Sequence, residues 1–199
     1  MNDALNNFRE NLRRAHDLLA LADRISVLTT SAVDVSDCLR AALMQGVSAL
    51  DHFVHEIVRI GMLEVHHGRR APTTAHLSFK VPMSATRRAV ADAADAQWLD
   101  EAVREAHSWL SFQQPEKIAD AIRLISSIAL WDALSAHLNI PKRDLKAELI
   151  LIVDRRNKIA HEADIDPTNP PARWPISVAL VRDALDYLDR LGTAMIAVI

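Results

Sequence analysis

Between Asp154 and Asp164 the chain reads DRRNKIAHEAD, which crowds Arg155, Arg156, Asn157, Lys158, His161 and Glu162 into one stretch of helical sequence. A histidine, an arginine and an amide without a metal cage suit RNA cleavage by the RNA's own 2′-hydroxyl. A histidine with a pKa near neutrality can take the 2′-hydroxyl proton or protonate the departing 5′-oxygen. An arginine can set its planar fork against the charge that builds on the phosphoryl oxygens in the transition state. No metal and no cofactor is required. The products would be a 2′,3′-cyclic phosphate and a 5′-hydroxyl, and DNA, which lacks the nucleophile, would be untouched.

A helical wheel at 100° per residue shows how these side chains are presented. Across residues 142–163, Leu145, Leu149, Ile152, Ile159 and Ala163 fall within about 40° of one line, and Arg156 sits in the middle of that stripe. A guanidinium keeps its charge, so Arg156 needs a carboxylate partner or a polar cleft. The segment 35–65 repeats the anomaly with the opposite sign. Asp51 interrupts the Leu43, Val47, Val54 and Val58 stripe, with His55 one turn further on. The two anomalies together predict an Asp51–Arg156 pair where the helices meet, which as a purely structural device would fix helix register. His161 lies about 140° round from Arg156 and shares its face with Asp154 and Asn157, so Asn157 is placed to hydrogen-bond the imidazole and fix its tautomer. Ile150 and Leu151 flank that second face and suit it to a partner chain. For Arg156 and His161 to act on one atom, the arginine must reach round, the helix must distort, or two copies must share a cleft.

The elements that position these residues are helical. The chain has 199 residues, is 50% hydrophobic, carries a net charge of -3, and has four glycines and few aromatics. This composition predicts one all-α domain over residues 1–199. Periodicity predicts helices over 8–29, 36–65, 84–94, 97–112, 116–138, 142–163 and 177–196, with Pro141 opening the sixth. Two long loops interrupt them: residues 66–83, and the segment DPTNPPARWP, whose four prolines end the sixth helix. The single Cys38 permits no internal disulfide, which fits a reducing, cytoplasmic setting. Residues 1–10 show no signal pattern, and no apolar run approaches the roughly 20 residues of a membrane span.

On a near-neutral chain an RNA site must be a local basic patch, for which Arg69, Arg70, Arg87 and Arg88 are candidates. His66, His67 and His76 in the first loop are the alternative, metal-binding constellation. Trp98, Trp109 and Trp131 stand at core spacings, and Trp174 either stacks on a base or, the favoured reading, pins the proline-rich loop.

The stretch RRNKIAH resembles the R-x4-6-H signature of HEPN domains (higher eukaryotes and prokaryotes nucleotide-binding): Arg156, then Asn157, then His161, late in an all-α chain. The segment SALDHFVHEI also resembles HEPN sequences, which often carry an acid where Asp51 stands. The likeness is to the stand-alone bacterial groups typified by the RiboL-PSP-associated proteins. It implies an HEPN-like helical bundle, a homodimer whose two motifs form one composite active site, and metal-independent ribonuclease activity in toxin–antitoxin or phage-defence systems. On that transfer Arg156, His161 and Asn157 are the catalytic set, with Asn157 orienting, and Asp51, Arg155 and Lys158 are supporting. RNA is the implied substrate, and an antitoxin or defence-system protein the implied partner. One position departs: where nucleotidyltransferase-neutralised toxins carry a tyrosine two residues after the histidine, this chain has Ala163. Some HEPN domains are not nucleases, so the alternative is a non-catalytic dimer that binds a nucleotide or protein. A metal-dependent enzyme built on the loop histidines is the third reading.

Overall fold

A computed structural model describes residues 1–30, 33–92 and 95–199, and its elements are all helices. They are α1 (Asn2–Leu28), α2 (Ser36–His66), α3 (Thr74–Leu77), α4 (Met83–Ala91), α5 (Gln97–His107), α6 (Pro115–Ile122), α7 (Leu130–Leu138), α8 (Lys142–His161) and α9 (Val178–Val198). Among the described residues there is no strand; a lone antiparallel bridge joins Ile165 to Arg173. No helix of the described residues is long and apolar enough to cross a membrane.

The core forms where α1, α2 and α9 pack along one another, with α8 and α7 closing the other side. Phe8 of α1 stacks on Phe53 of α2 at 4.7 Å. Gly46 lets α9 approach α2, because a Cβ there would lie 2.4 Å from a methyl of Leu185. Gly61 does the same for Ile125, three of whose atoms would stand within 2.9 Å of an added Cβ. Tyr187 of α9 is buried, and its hydroxyl donates to the Leu145 carbonyl of α8 at 2.6 Å. Burial of the phenol and the nearby Glu148 carboxylate push its pKa well above the ordinary value.

Several boundaries differ from the periodicity. The single helix expected over 116–138 is two, α6 and α7, separated by residues 123–129. The apolar pattern runs through the break because Ile125 turns inward from the connection and packs under Gly61. Trp131 then anchors α7 by donating to the Pro115 carbonyl at 2.9 Å. The helix expected over 97–112 stops at His107, so that the backbone N–H of Phe112 can meet a side chain of α2. Trp109, expected in the core, falls in that turn and is 80% exposed. The helix expected over 84–94 ends at Ala91, and its last two positions, Ala93 and Ala94, lie outside the described residues. So do Ser31 and Ala32 of the punctuation between the first two helices. The long first loop contains α3, capped by Thr73, whose hydroxyl accepts from His76 N–H at 2.9 Å and donates to the Arg123 carbonyl at 2.7 Å.

Candidate functional site

The end of α8 is set by backbone conformation. Ala163 and Asp164 both take the left-handed conformation (φ 51° and 59°), which turns the chain out of the helix. The N–H groups of Glu162 and Asp164 both close on the Lys158 carbonyl. The following strap folds back on itself, with Asp166 N–H on the Ala172 carbonyl at 2.8 Å and Trp174 N–H on the Asp164 carbonyl at 2.9 Å. This geometry aims the Asp164 carboxylate inward.

Asp164 is the centre of a buried ionic cluster. It is 0% exposed and accepts from Arg40 Nε at 2.7 Å and from Arg155 at 2.9 Å. Both arginines also donate to the Trp174 carbonyl, at 3.1 and 2.9 Å, and Arg155 reaches the Pro175 carbonyl at 3.1 Å. Burial pushes the Arg155 pKa down; Asp164 opposes that shift and Arg40 adds to it. Arg173 clamps the strap from outside on Asp37 at 2.6 Å. Lys158 stands 5.2 Å over the Trp174 ring. Arg155 therefore holds the strap through the Trp174 backbone carbonyl, and Lys158 meets the Trp174 ring, whose indole N–H is buried without a partner among the described residues.

Arg156, the next residue, has a different environment. It is half-buried and, among the described residues, makes no hydrogen bond or ion pair. Burial pushes its pKa down and the charge of Asp51 opposes this. The expected Asp51–Arg156 contact is not formed. The Asp51 carboxylate is occupied instead by Phe112 N–H at 2.5 Å and by the Gln113 amide at 3.1 Å, while His55 Nε2 lies 3.8 Å away. A backbone N–H carries no residue-type signal, which is why the sequence pointed to the arginine instead.

His161 is exposed at the last turn of α8, and Asn157 is half-buried one turn earlier. The expected hydrogen bond between them is absent, and neither has another hydrogen-bond partner among the described residues. The face they share with Ile150 and Asp154 is open, and next to it Leu151 is 70% exposed.

The basic rim is divided. Arg70 is built into the fold, paired with Glu64 at 3.0 Å and donating to the carbonyls of Ile125 and Ile199. Arg88 pairs with Glu101. Arg69 and Arg87 remain exposed and have no ion-pair partner among the described residues. Of the loop histidines, His66 packs edge-on to Trp98 at 5.6 Å, and burial, followed by the charge of His66, pushes the His76 pKa down. Among the described residues no three His, Cys, Asp or Glu side chains are grouped to hold a metal ion.

Sequence reasoning missed Arg40 and Asp164. Arg40 could have been found, because it extends the Leu43 and Val47 stripe by three residues and is a charge on an apolar face. Comparison with known proteins adds no relative: no family model, no curated protein and no solved structure matches the chain.

Proposed function

We propose that this chain is a metal-independent, HEPN-type endoribonuclease that works as a homodimer in a toxin–antitoxin or phage-defence setting in the cytoplasm. The observation that carries the reading is Arg156. It is a half-buried guanidinium without a hydrogen bond or ion pair, five residues before an exposed His161. Leaving such a group unpaired destabilises the fold unless an anion completes it.

In the proposed reaction His161 takes the proton from the 2′-hydroxyl and the 2′-oxygen attacks phosphorus. The bond from phosphorus to the 5′-oxygen breaks, and that oxygen is protonated as it leaves. Arg156 donates to the phosphoryl oxygens as charge builds on them. His161 of a second copy supplies the leaving-group proton in a shared cleft. The exposed Ile150, Leu151 and Leu180 support such a contact between copies.

The test is cleavage of end-labelled RNA in EDTA by the wild type and by His161→Ala, with product ends mapped. Cyclic-phosphate ends made by the wild type alone are expected; equal cleavage by both proteins overturns the assignment. One observation favours the alternative, a non-catalytic dimeric module for a nucleotide or protein: among the described residues none holds the His161 imidazole. Binding without cleavage would establish that alternative.

A further inference from the structure

Among the described residues none holds the His161 imidazole, so its place is set by the backbone that carries it. That backbone is the last turn of α8, and its ending does not support itself. Ala163, the residue after the helix cap, has φ 51°, a left-handed conformation that suits glycine and not alanine. The N–H groups of Glu162 and Asp164 share the Lys158 carbonyl at 2.9 and 3.0 Å. The Ala163 carbonyl accepts from Arg173 Nε at 3.4 Å. An alanine stays in such a conformation only where its surroundings over-determine it.

Asp164 supplies that constraint. Its buried carboxylate reaches Arg40, 124 residues away on α2, at 2.7 Å and Arg155 on α8 at 2.9 Å. Arg155 directly precedes Arg156, so the same contact resists rotation of the helix face that presents Arg156. Trp174 N–H on the Asp164 carbonyl closes the return of the strap, and Arg173 clamps it to Asp37 from outside. One carboxylate thus ties His161 through the chain, Arg156 through its neighbour, and both to the N-terminal end of α2. The latch is not saturated. Asp164 Oδ1, Arg155 Nε and Trp174 Nε1 are buried and lack hydrogen-bond partners among the described residues. Water would satisfy all three in an open strap, so the closed strap depends on the ion pairs.

We infer that Asp164 is a positioning residue: latched on Arg40 and Arg155, it holds the last turn of α8 and with it the spacing between Arg156 and His161 that the shared cleft uses. The effect on cleavage rests on the ribonuclease reading; the effect on the His161 backbone does not. The experiment compares the full chain with Asp164→Asn, which keeps the shape and removes the charge, at a temperature where circular dichroism shows both folded. NMR follows the backbone carbon shifts of His161, and kinetics on single-stranded RNA separate kcat from KM. Asp164→Asn moves the His161 shifts from helical toward coil values. It lowers kcat by about 10²-fold at unchanged KM, the scale of a catalytic group displaced by about 1 Å. Adding Ala163→Gly, which lets the helix end without outside support, returns both part of the way. Tyr187→Phe, which frees α8 at the Leu145 carbonyl near its other end, lowers stability and changes neither. If Asp164→Asn does not fold, Arg173→Ala on the outside of the strap takes its place, with a smaller change in the same direction.

His161 shifts that stay helical in the latch variant, or that move while kcat holds, overturn the positioning role. Equal changes in Tyr187→Phe, or no rescue by Ala163→Gly, reduce Asp164 to a general contribution to stability and overturn it too. Shifts that move and are rescued in a protein that cleaves no RNA would remove the ribonuclease reading and leave the latch. Cleavage that continues with unmoved shifts would remove the latch and leave the ribonuclease.

Discussion

Arg155 and Arg156 are neighbours on one helix and meet opposite surroundings. One residue of helical rotation turns Arg155 toward the strap, where Asp164 and the carbonyls of Trp174 and Pro175 all accept from its Nη2, while its Nε is buried without a partner among the described residues. The same rotation turns Arg156 toward α2, where the nearest carboxylate is already occupied by Phe112 and Gln113. Residue type is identical and burial is similar, so the difference lies in what the neighbouring backbone leaves unused. The pair teaches that a charged side chain on an apolar stripe has structural meaning only if its partner is free to meet it.

The sharpest way to break the comparison is to remove each charge in turn. His161→Ala is expected to lower RNA cleavage by about 10²–10⁴-fold, the usual range for a lost acid–base group, and Arg156→Ala by about 10²–10³-fold, as for a lost transition-state donor. Melting temperature should barely move in His161→Ala, an exposed position where changes are typically about 0.5 kcal/mol or less, and should stay level or rise in Arg156→Ala, which removes a half-buried charge that has no partner among the described residues. Asp51 stays satisfied in the Arg156 variant, so the instability expected from an Asp51–Arg156 pair does not follow. Unfolding of Arg156→Ala below the wild-type melting range would show that the contact forms in solution. Asp164→Ala is expected to act on stability. It strands Arg40 and Arg155 in the interior, and breaking such a cluster destabilises by about 3–5 kcal/mol, which chemical denaturation can measure. A stable Asp164→Ala protein would mean that water, rather than the carboxylate, holds the two guanidinium groups.

How much of this was legible follows the same division. The helical class, the limits of α2 and α8, and the anomaly at Arg156 are properties of local sequence and can be read from periodicity. The break between α6 and α7 was not legible, because Ile125 keeps the apolar pattern running through a turn. The Asp51 contact was not legible either, since its strongest partner is a backbone N–H sixty-one residues away. Asp164 looked like one more acid in a polar loop. Its burial comes from two successive left-handed residues, a conformation that Ala163 does not advertise. Arg40 was legible and went unread. Of the candidate catalytic residues, His161 is exposed, Asn157 and Arg156 are half-buried, and the hydrogen bond expected to orient His161 is missing.

The open and closed sides should also differ in their response to acid. In the folded chain the His107 pKa is depressed to about 4 from an ordinary 6.5, so below pH 6.5 the unfolded chain binds a proton that the fold refuses. The stability due to neutral His107 is whole above pH 6.5 and is lost as pH falls toward 4. The 2.5-unit gap sets an upper bound of about 3 kcal/mol on the loss. Denaturant unfolding at pH 7 and at pH 4.5 should show this slope in the wild type and a flatter one in His107→Phe. Glu56 contributes lower down. Burial raises its pKa, but the Arg59 hydrogen bond and the charges of Arg59, Arg104 and His52 together hold it below the ordinary carboxylate value. Its stabilisation is present above that value and fades as pH falls through the depressed one. Equal slopes for wild type and His107→Phe would show that His107 titrates freely, and that the α2–α5 cleft is wetter than its packing indicates.

The smallest expected effect separates the basic residues that are free from those that are used. Arg69 and Arg87 are exposed and unpaired among the described residues, whereas Arg70 is bound to Glu64 and two carbonyls. If the exposed pair touches phosphates, each replacement by alanine releases about one fewer counterion on binding. The slope of log affinity against log salt should then fall by roughly 0.7 per site for single-stranded RNA, with no change in melting temperature. Arg70→Ala should instead lower stability, because Arg70 ties α2 to the Ile125 turn and to the chain's last carbonyl. Any loss of RNA affinity in that variant should disappear under conditions where it is fully folded. A salt slope unchanged in Arg69→Ala and Arg87→Ala would place the RNA path away from the α2–α4 connection, along the exposed side of α8 that carries Asn157 and His161.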